Sequence, residues 1–175
     1  MWLQFSSGGA MSPVPWIILG IVAVQRLAEL VYAGRNTRRL LARGGREVGG
    51  RHYPLIAVLH AAWLIGLGLW LVVDEAVTLS WPLIGLFGAL QVARLWVLWA
   101  LGDRWTTRVI VLAGAPLVTR GPYRFTRHPN YWIVCGEIAV LPLAFGAWPL
   151  ALGFSLVNAA LLAHRIRVED TALGR

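Results

Sequence analysis

Two short segments hold most of the side chains that could do chemistry. The first is Gly121-Pro122-Tyr123-Arg124-Phe125-Thr126-Arg127-His128-Pro129-Asn130-Tyr131, where aromatic and cationic groups alternate between two prolines. Each proline fixes φ and biases the residue before it toward extended geometry, so Arg127 and His128 are presented at a loop end just before a helix. Unpaired N–H groups and the dipole at such a helix start favour an anion or carboxylate. The second segment is Arg165-Ile166-Arg167-Val168-Glu169-Asp170, which supplies opposite charge. A zwitterionic amino-acid group needs a cation or N–H for its carboxylate and an anion for its ammonium, and the two segments together provide both. Taken alone, Arg165 and Glu169 also read as an ordinary i, i+4 surface pair.

These segments must be positioned by helices in a membrane. The chain has 175 residues, of which 58% are hydrophobic and 14% charged, with ten tryptophans, a composition too apolar for an ordinary soluble domain. Apolar stretches at 13–32, 53–73 and 81–101 are each long enough to cross a hydrocarbon core of about 30 Å. The last apolar block is broken near Pro142, Gly146 and Pro149 and reads as a tight hairpin of helices 131–145 and 147–165, the first of them short or tilted. The expected fold is therefore an all-α integral membrane bundle of about five transmembrane helices. Residues 1–12 are expected to be an uncharged leader without the basic start of a signal peptide, and 13–175 a single domain with its cofactor region over 115–175.

All sixteen positive residues are arginine, and most fall in the two connections 35–51 and 104–127 and in the C-terminal tail. This is the pattern of cytoplasmic loops, which places the N-terminus outside and the C-terminus and candidate site inside. It also accounts for the net charge of +8 without nucleic acid. Trp16, Trp70, Trp81 and Trp148 are expected at the outer interface, and Trp105 and Trp132 at the inner one. Cys135 is the single cysteine and His60 has no second histidine at ligand spacing, so no disulfide and no metal site are expected.

Within the spans, Gln25, Arg26, Glu29, His60, Gln91, Arg94, Glu137 and Asn158 all fall in or near the cytoplasmic half. Buried ionic groups are costly in a bilayer and usually face a bundle interior or a wet cavity. Arg26 either snorkels to the headgroups and pairs with Glu29 or lines a chamber, and Arg94 and Glu137 either pair with each other or line that same chamber. His60 reads as a hydrogen-bonded interior histidine, and His52 and Tyr53 as interfacial residues.

The order Gly-Pro-Tyr-Arg, two residues, Arg-His-Pro and then Tyr, followed later by Arg-Ile-x-x-Glu-Asp, resembles the isoprenylcysteine carboxyl methyltransferase family over roughly the last 70 residues. The family has a second Glu where this chain has Asp170. Arg35-Asn36, Leu40-Leu41-Ala42-Arg43-Gly44-Gly45, His52-Tyr53-Pro54 and His60 resemble bacterial members associated with methylation of polyketide-derived alkylpyrones. The resemblance implies an S-adenosylmethionine pocket between the last two helices and the C-terminal segment, with a lipophilic small molecule arriving laterally from membrane lipid. It implies cofactor contacts for His128, Pro129, Asn130, Tyr131 and Glu169, with Tyr123 and Arg127 supporting them. The reaction is expected at a carboxylate or acidic enol or phenol oxygen, with Arg94 or Arg165 orienting the anion and Glu137 assisting. Competing readings are a sterol-reductase-like NADPH enzyme, which shares an Arg-His-Pro-Asn-Tyr loop, a phospholipid N-methyltransferase and a non-catalytic lipid-binding protein. The expected location is the bacterial inner membrane.

Overall fold

The computed structural model describes residues 12–50, 53–74 and 77–172. Five helices form the bundle: α1 (Val14–Ala42), α2 (Tyr53–Val73), α3 (Trp81–Leu101), α4 (Pro129–Ala144) and α5 (Trp148–Ala172). All but α4 are long and apolar enough to cross a membrane. The chain is an all-α membrane bundle. His52, Arg51, Glu75 and residues 1–11 of the expected leader lie outside the described residues.

Three helix limits differ from the expected ones. Helix α1 does not stop at residue 32 but continues to Ala42, because no proline or glycine pair interrupts the Arg- and Leu-rich stretch before Gly44 and Gly45. There Gly44 has φ 85°, and its N–H bonds to the Leu41 carbonyl while that of Gly45 bonds to the Leu40 carbonyl, a paired closure that ends the helix. Helix α4 begins at Pro129 rather than at residue 131, since proline suits a first helical turn whose N–H is unpaired anyway. Helix α5 runs past residue 165 to Ala172, so the Arg165 to Asp170 cluster is helical throughout.

Helix α4 has 16 residues and spans only about 24 Å at 1.5 Å per residue. It sits between α3 and α5, where neighbouring protein replaces the lipid that a short helix could not cross. Ile138, Leu141, Ala144 and the following Phe145 are almost inaccessible, packed with Trp63, Leu67 and Leu71 of α2 and Phe87 of α3. The turn into α5 repeats the closure of α1: Gly146 has φ 74°, with Gly146 N–H to the Leu143 carbonyl and Ala147 N–H to the Pro142 carbonyl. A further carbonyl at this end, Ala144, accepts the Ser80 N–H at 2.9 Å, which ties the hairpin to the start of α3.

At the opposite end, the two arginine-rich connections meet. Strand β1 (Arg46–Val48) pairs antiparallel with β2 (Val109–Val111), in the register Arg46 to Val111, Glu47 to Ile110 and Val48 to Val109. This pairing puts both connections on one side of the bundle. Trp105 is not an interfacial belt residue: it is 4% exposed and stacks on Tyr32 of α1 with centroids 6.0 Å apart. Asn36, fully buried in α1, donates from its amide to the carbonyls of Gly102 at 3.2 Å and Trp105 at 2.9 Å. Those carbonyls belong to a turn after α3, which Asn36 fixes in place.

Candidate functional site

The segment leading into α4 and the charged end of α5 come together. His128 caps the start of α4, its Nε2 lies 3.1 Å from Asp170 Oδ1, and its Nδ1 lies 3.8 Å from Glu169 Oε2. A carboxylate only accepts, so the His128 Nε2–H donates to Asp170. The shorter side chain of Asp170 thus reaches the histidine. The His128 and Tyr131 rings stack with centroids 5.3 Å apart. The Tyr131 hydroxyl donates to Glu169 Oε2 and accepts from Arg165 Nε at 2.9 Å. Arg165 also donates from Nη2 to the Thr107 carbonyl at 2.8 Å, so one guanidinium joins α5, α4 and the segment after α3.

His128, Tyr131, Arg165 and Glu169 border a cavity of about 410 Å³. It is lined by Tyr123, Arg127, His128, Asn130, Tyr131, Arg165 and Glu169 and by residues 104–106 and 108–118. Pro129 is buried at the first turn of α4. The Asn130 side-chain oxygen is buried without a hydrogen-bond partner among the described residues. Burial, with Glu169 nearby, pushes the Tyr123 phenol above its ordinary value and keeps it a neutral O–H. The long segment closes on itself through a hydrogen bond from the Arg104 guanidinium to the Pro116 carbonyl. Its Leu112, Ala113, Ala115, Leu117 and Val118 form an apolar wall.

That wall lies partly before residue 115, outside the expected cofactor region. The contributions that hold it are backbone carbonyls of Gly102, Trp105, Thr107 and Pro116, and no side-chain motif announces a carbonyl. Asn36 was legible only as part of the Arg35-Asn36 pair that resembles the bacterial members.

Arg94 and Glu137 are not among the residues that line this cavity. Arg94 forks onto Glu137, with Nε 2.8 Å from Oε1 and Nη2 bonded to Oε2, and its Nη1 lies 3.2 Å from Glu29 Oε2. Arg26 bridges the same two carboxylates, at 2.8 Å to each. Gln25 and Gln91 donate to Glu29 at 3.0 Å and to Glu137 at 2.8 Å. Of the two arrangements open from sequence, the structure has Arg94 and Glu137 paired, in a four-charge network that also takes in Arg26 and Glu29. His60, on α2, bonds through Nδ1 to the Ile56 carbonyl at 2.8 Å.

The chain is 37% identical over 160 residues, 90% of its length and 95% of the relative's, to the uncharacterized protein YpbQ of Bacillus subtilis. It is 25% identical over 163 residues, 90% of its length and 93% of the relative's, to an uncharacterized protein of Haemophilus influenzae. No solved structure matches it. Residues 83–175, which contain α4, α5 and the cavity's wall, match the isoprenylcysteine carboxyl methyltransferase family. The chain belongs to that family and is an integral membrane protein of the methyltransferase class.

Proposed function

We propose that the chain uses S-adenosylmethionine to methylate an oxygen of a lipophilic acceptor, at a site facing the cytoplasm of a bacterial inner membrane. The observation that carries this reading is the convergence of His128, Tyr131, Arg165 and Glu169 from two helices on one cavity. Its volume of about 410 Å³ lies in the range of small-molecule and cofactor sites, about 300–1,000 Å³. The donor set fits the cofactor: Glu169 receives an ammonium, and Arg127, exposed and without a hydrogen bond among the described residues, meets a carboxylate. The unclaimed Asn130 oxygen takes a further N–H, and the N-terminal turn of α4 favours negative charge. S-adenosylmethionine, when bound, supplies a methyl group on a cationic sulfur that an acceptor oxygen displaces in line.

The protein's own task is then alignment and exclusion of water. Tyr131 and Arg165 hold Glu169, and the apolar wall keeps the reacting end dry. A carboxylate or an acidic enol or phenol is already anionic near neutral pH, so no strong base is demanded. The acceptor is of the alkylpyrone or prenylcysteine kind, its tail left in the bilayer. The arginine-rich connections, joined by β1 and β2, support an orientation with the N-terminus outside.

The test is a thermal-shift measurement on detergent-purified protein. S-adenosylmethionine is expected to raise Tm and NADPH to leave it unchanged, and Glu169→Ala should remove the response while the fold remains. A response to NADPH alone overturns the assignment in favour of a reductase. Labelled S-adenosylmethionine with a membrane lipid extract then shows whether the methyl group lands on oxygen, as proposed, or on a phospholipid nitrogen.

A further inference from the structure

Residues ahead of the family-matched region reach the candidate cofactor site through a continuous run of contacts. Tyr53 opens α2, well before residue 83 where the family match begins. Its hydroxyl accepts a hydrogen bond from Thr107 Oγ1 at 3.3 Å. The Thr107 backbone carbonyl accepts Arg165 Nη2 at 2.8 Å, Arg165 Nε donates to the Tyr131 hydroxyl at 2.9 Å, and that hydroxyl donates to Glu169. The Tyr53 ring is itself fixed by the Arg108 guanidinium, 4.8 Å from its centroid, which pairs with Glu47 of β1 at 2.8 Å.

The physical consequence lies in Arg165. The residue is 8% exposed, so its guanidinium depends on protein acceptors rather than water, and the two given above come from different elements. Tyr131 belongs to α4, which is packed on both sides. Thr107 belongs to an irregular segment between Trp105 and β2, whose carbonyl direction is set by whatever pins its side chains. Tyr53 pins Thr107, and Arg108 beside it is pinned by Tyr53 and Glu47. Release of that pin frees the carbonyl to turn and lets Arg165 tilt. The Tyr131 hydroxyl then loses the donor that orients its own proton toward Glu169.

We propose that Tyr53 is a positioning residue for the Glu169 site, acting through Thr107 and Arg165. This rests on the proposed reading of that site as the place where the cofactor's ammonium is held. The contribution of a single neutral hydrogen bond sets the scale of the effect at about three- to tenfold in affinity.

The experiment measures S-adenosylmethionine binding, by calorimetry on the full chain in detergent, for Tyr53→Phe, Thr107→Val, the two combined, Thr107→Ser and Glu169→Gln. Tyr53→Phe keeps the ring beneath Arg108 and removes only the hydroxyl. It is expected to weaken binding by about three- to tenfold, with Tm of the ligand-free protein unchanged and, in turnover with a lipid-extract acceptor, KM for the cofactor raised and kcat kept. Thr107→Val should match it, the combined variant should be no worse than either, and Thr107→Ser, which retains the hydroxyl, should bind like the parent. Glu169→Gln separates the two levels of the claim. If it loses binding while Tyr53→Phe binds normally, or if the losses at Tyr53 and Thr107 add, the positioning role is wrong and the cofactor site stands. If Glu169→Gln binds normally, both fall. A drop in Tm for Tyr53→Phe with equal loss in KM and kcat also overturns the proposal, since it marks a general structural role.

Discussion

Two groups of charged side chains lie along α4, one around Glu137 within the span and one around His128 and Tyr131 at its end, separated by about 9 Å of helix at 1.5 Å per residue. They share residue types and differ in how completely those residues are used. In the inner group two arginines face two glutamates, the four side chains are between 3% and 13% exposed, and each carboxylate oxygen receives at least one donor. In the outer group His128, Glu169 and Asp170 are 12%, 25% and 27% exposed, His128 Nδ1 stops 3.8 Å short of Glu169, and His128 and Glu169 border a cavity. A charge cluster whose carboxylate oxygens are all filled, even with Arg26 Nε and Gln91 Oε1 left without partners among the described residues, holds helices together. One whose valences remain open beside a cavity is, in the proposed function, the one that holds the cofactor.

The largest expected effect follows from emptying one valence in the filled group. Arg94→Ala leaves Glu137 with Arg26 and Gln91 alone and takes one of the donors from Glu29. Breaking a buried pair by removing one partner costs about 3–5 kcal/mol, because a charge remains without its counter-ion. Purified Arg94→Ala is expected to melt well below the parent or to fail to yield monodisperse protein. Arg94→Met combined with Glu137→Leu, which leaves Arg26 and Glu29 to pair with each other, should recover most of the loss. If Arg94→Ala instead melts like the parent and loses turnover, the inner group belongs to catalysis and the contrast collapses.

The two groups were unequally legible in the sequence, for the same reason that they differ physically. The outer group consists of side-chain chemistry concentrated in two short segments, so residue type and spacing displayed it. The inner group appeared as polar residues at one depth, but which of them pair depends on how α1, α3 and α4 face one another, and sequence spacing does not record that. The spans themselves were legible because a bilayer demands about twenty apolar residues and little else. The cavity's second wall, from Arg104 to Val118, was not, because backbone carbonyls and a buried amide on another helix hold it. The continuation of α1 to Ala42 was missed for a different cause: charged residues end a span without ending a helix.

Asn36 joins the two behaviours and gives an intermediate effect. It is filled, with its amide on the Gly102 and Trp105 carbonyls, yet what it holds is the start of the cavity's wall. Asn36→Ala strands two carbonyls in a buried place, at about 1–3 kcal/mol. Thermal melting is expected to fall by that equivalent, and cofactor affinity to fall with it, since Trp105 lines the cavity. A fall in melting temperature with unchanged affinity would separate the wall from the site and narrow the ligand region to α4 and α5.

The smallest effect tests the contrast from the opposite side, with a pair that is neither filled nor set at a cavity. Arg39 and Asp103 approach to 3.5 Å while their side chains are 60% and 58% exposed. Water and salt screen such a pair, and ordering two mobile side chains offsets much of its attraction, so exposed pairs contribute about 0.2–1 kcal/mol. Asp103→Asn keeps the shape and removes the charge. Its melting temperature at 0.15 M salt is expected within measurement error of the parent, with any difference shrinking further as salt rises, and its cofactor affinity is expected to be unchanged. A loss comparable with Arg94→Ala, persisting at high salt, would mean that exposure does not sort this protein's charge pairs, and with it the basis for assigning one cluster to structure and the other to a ligand would go.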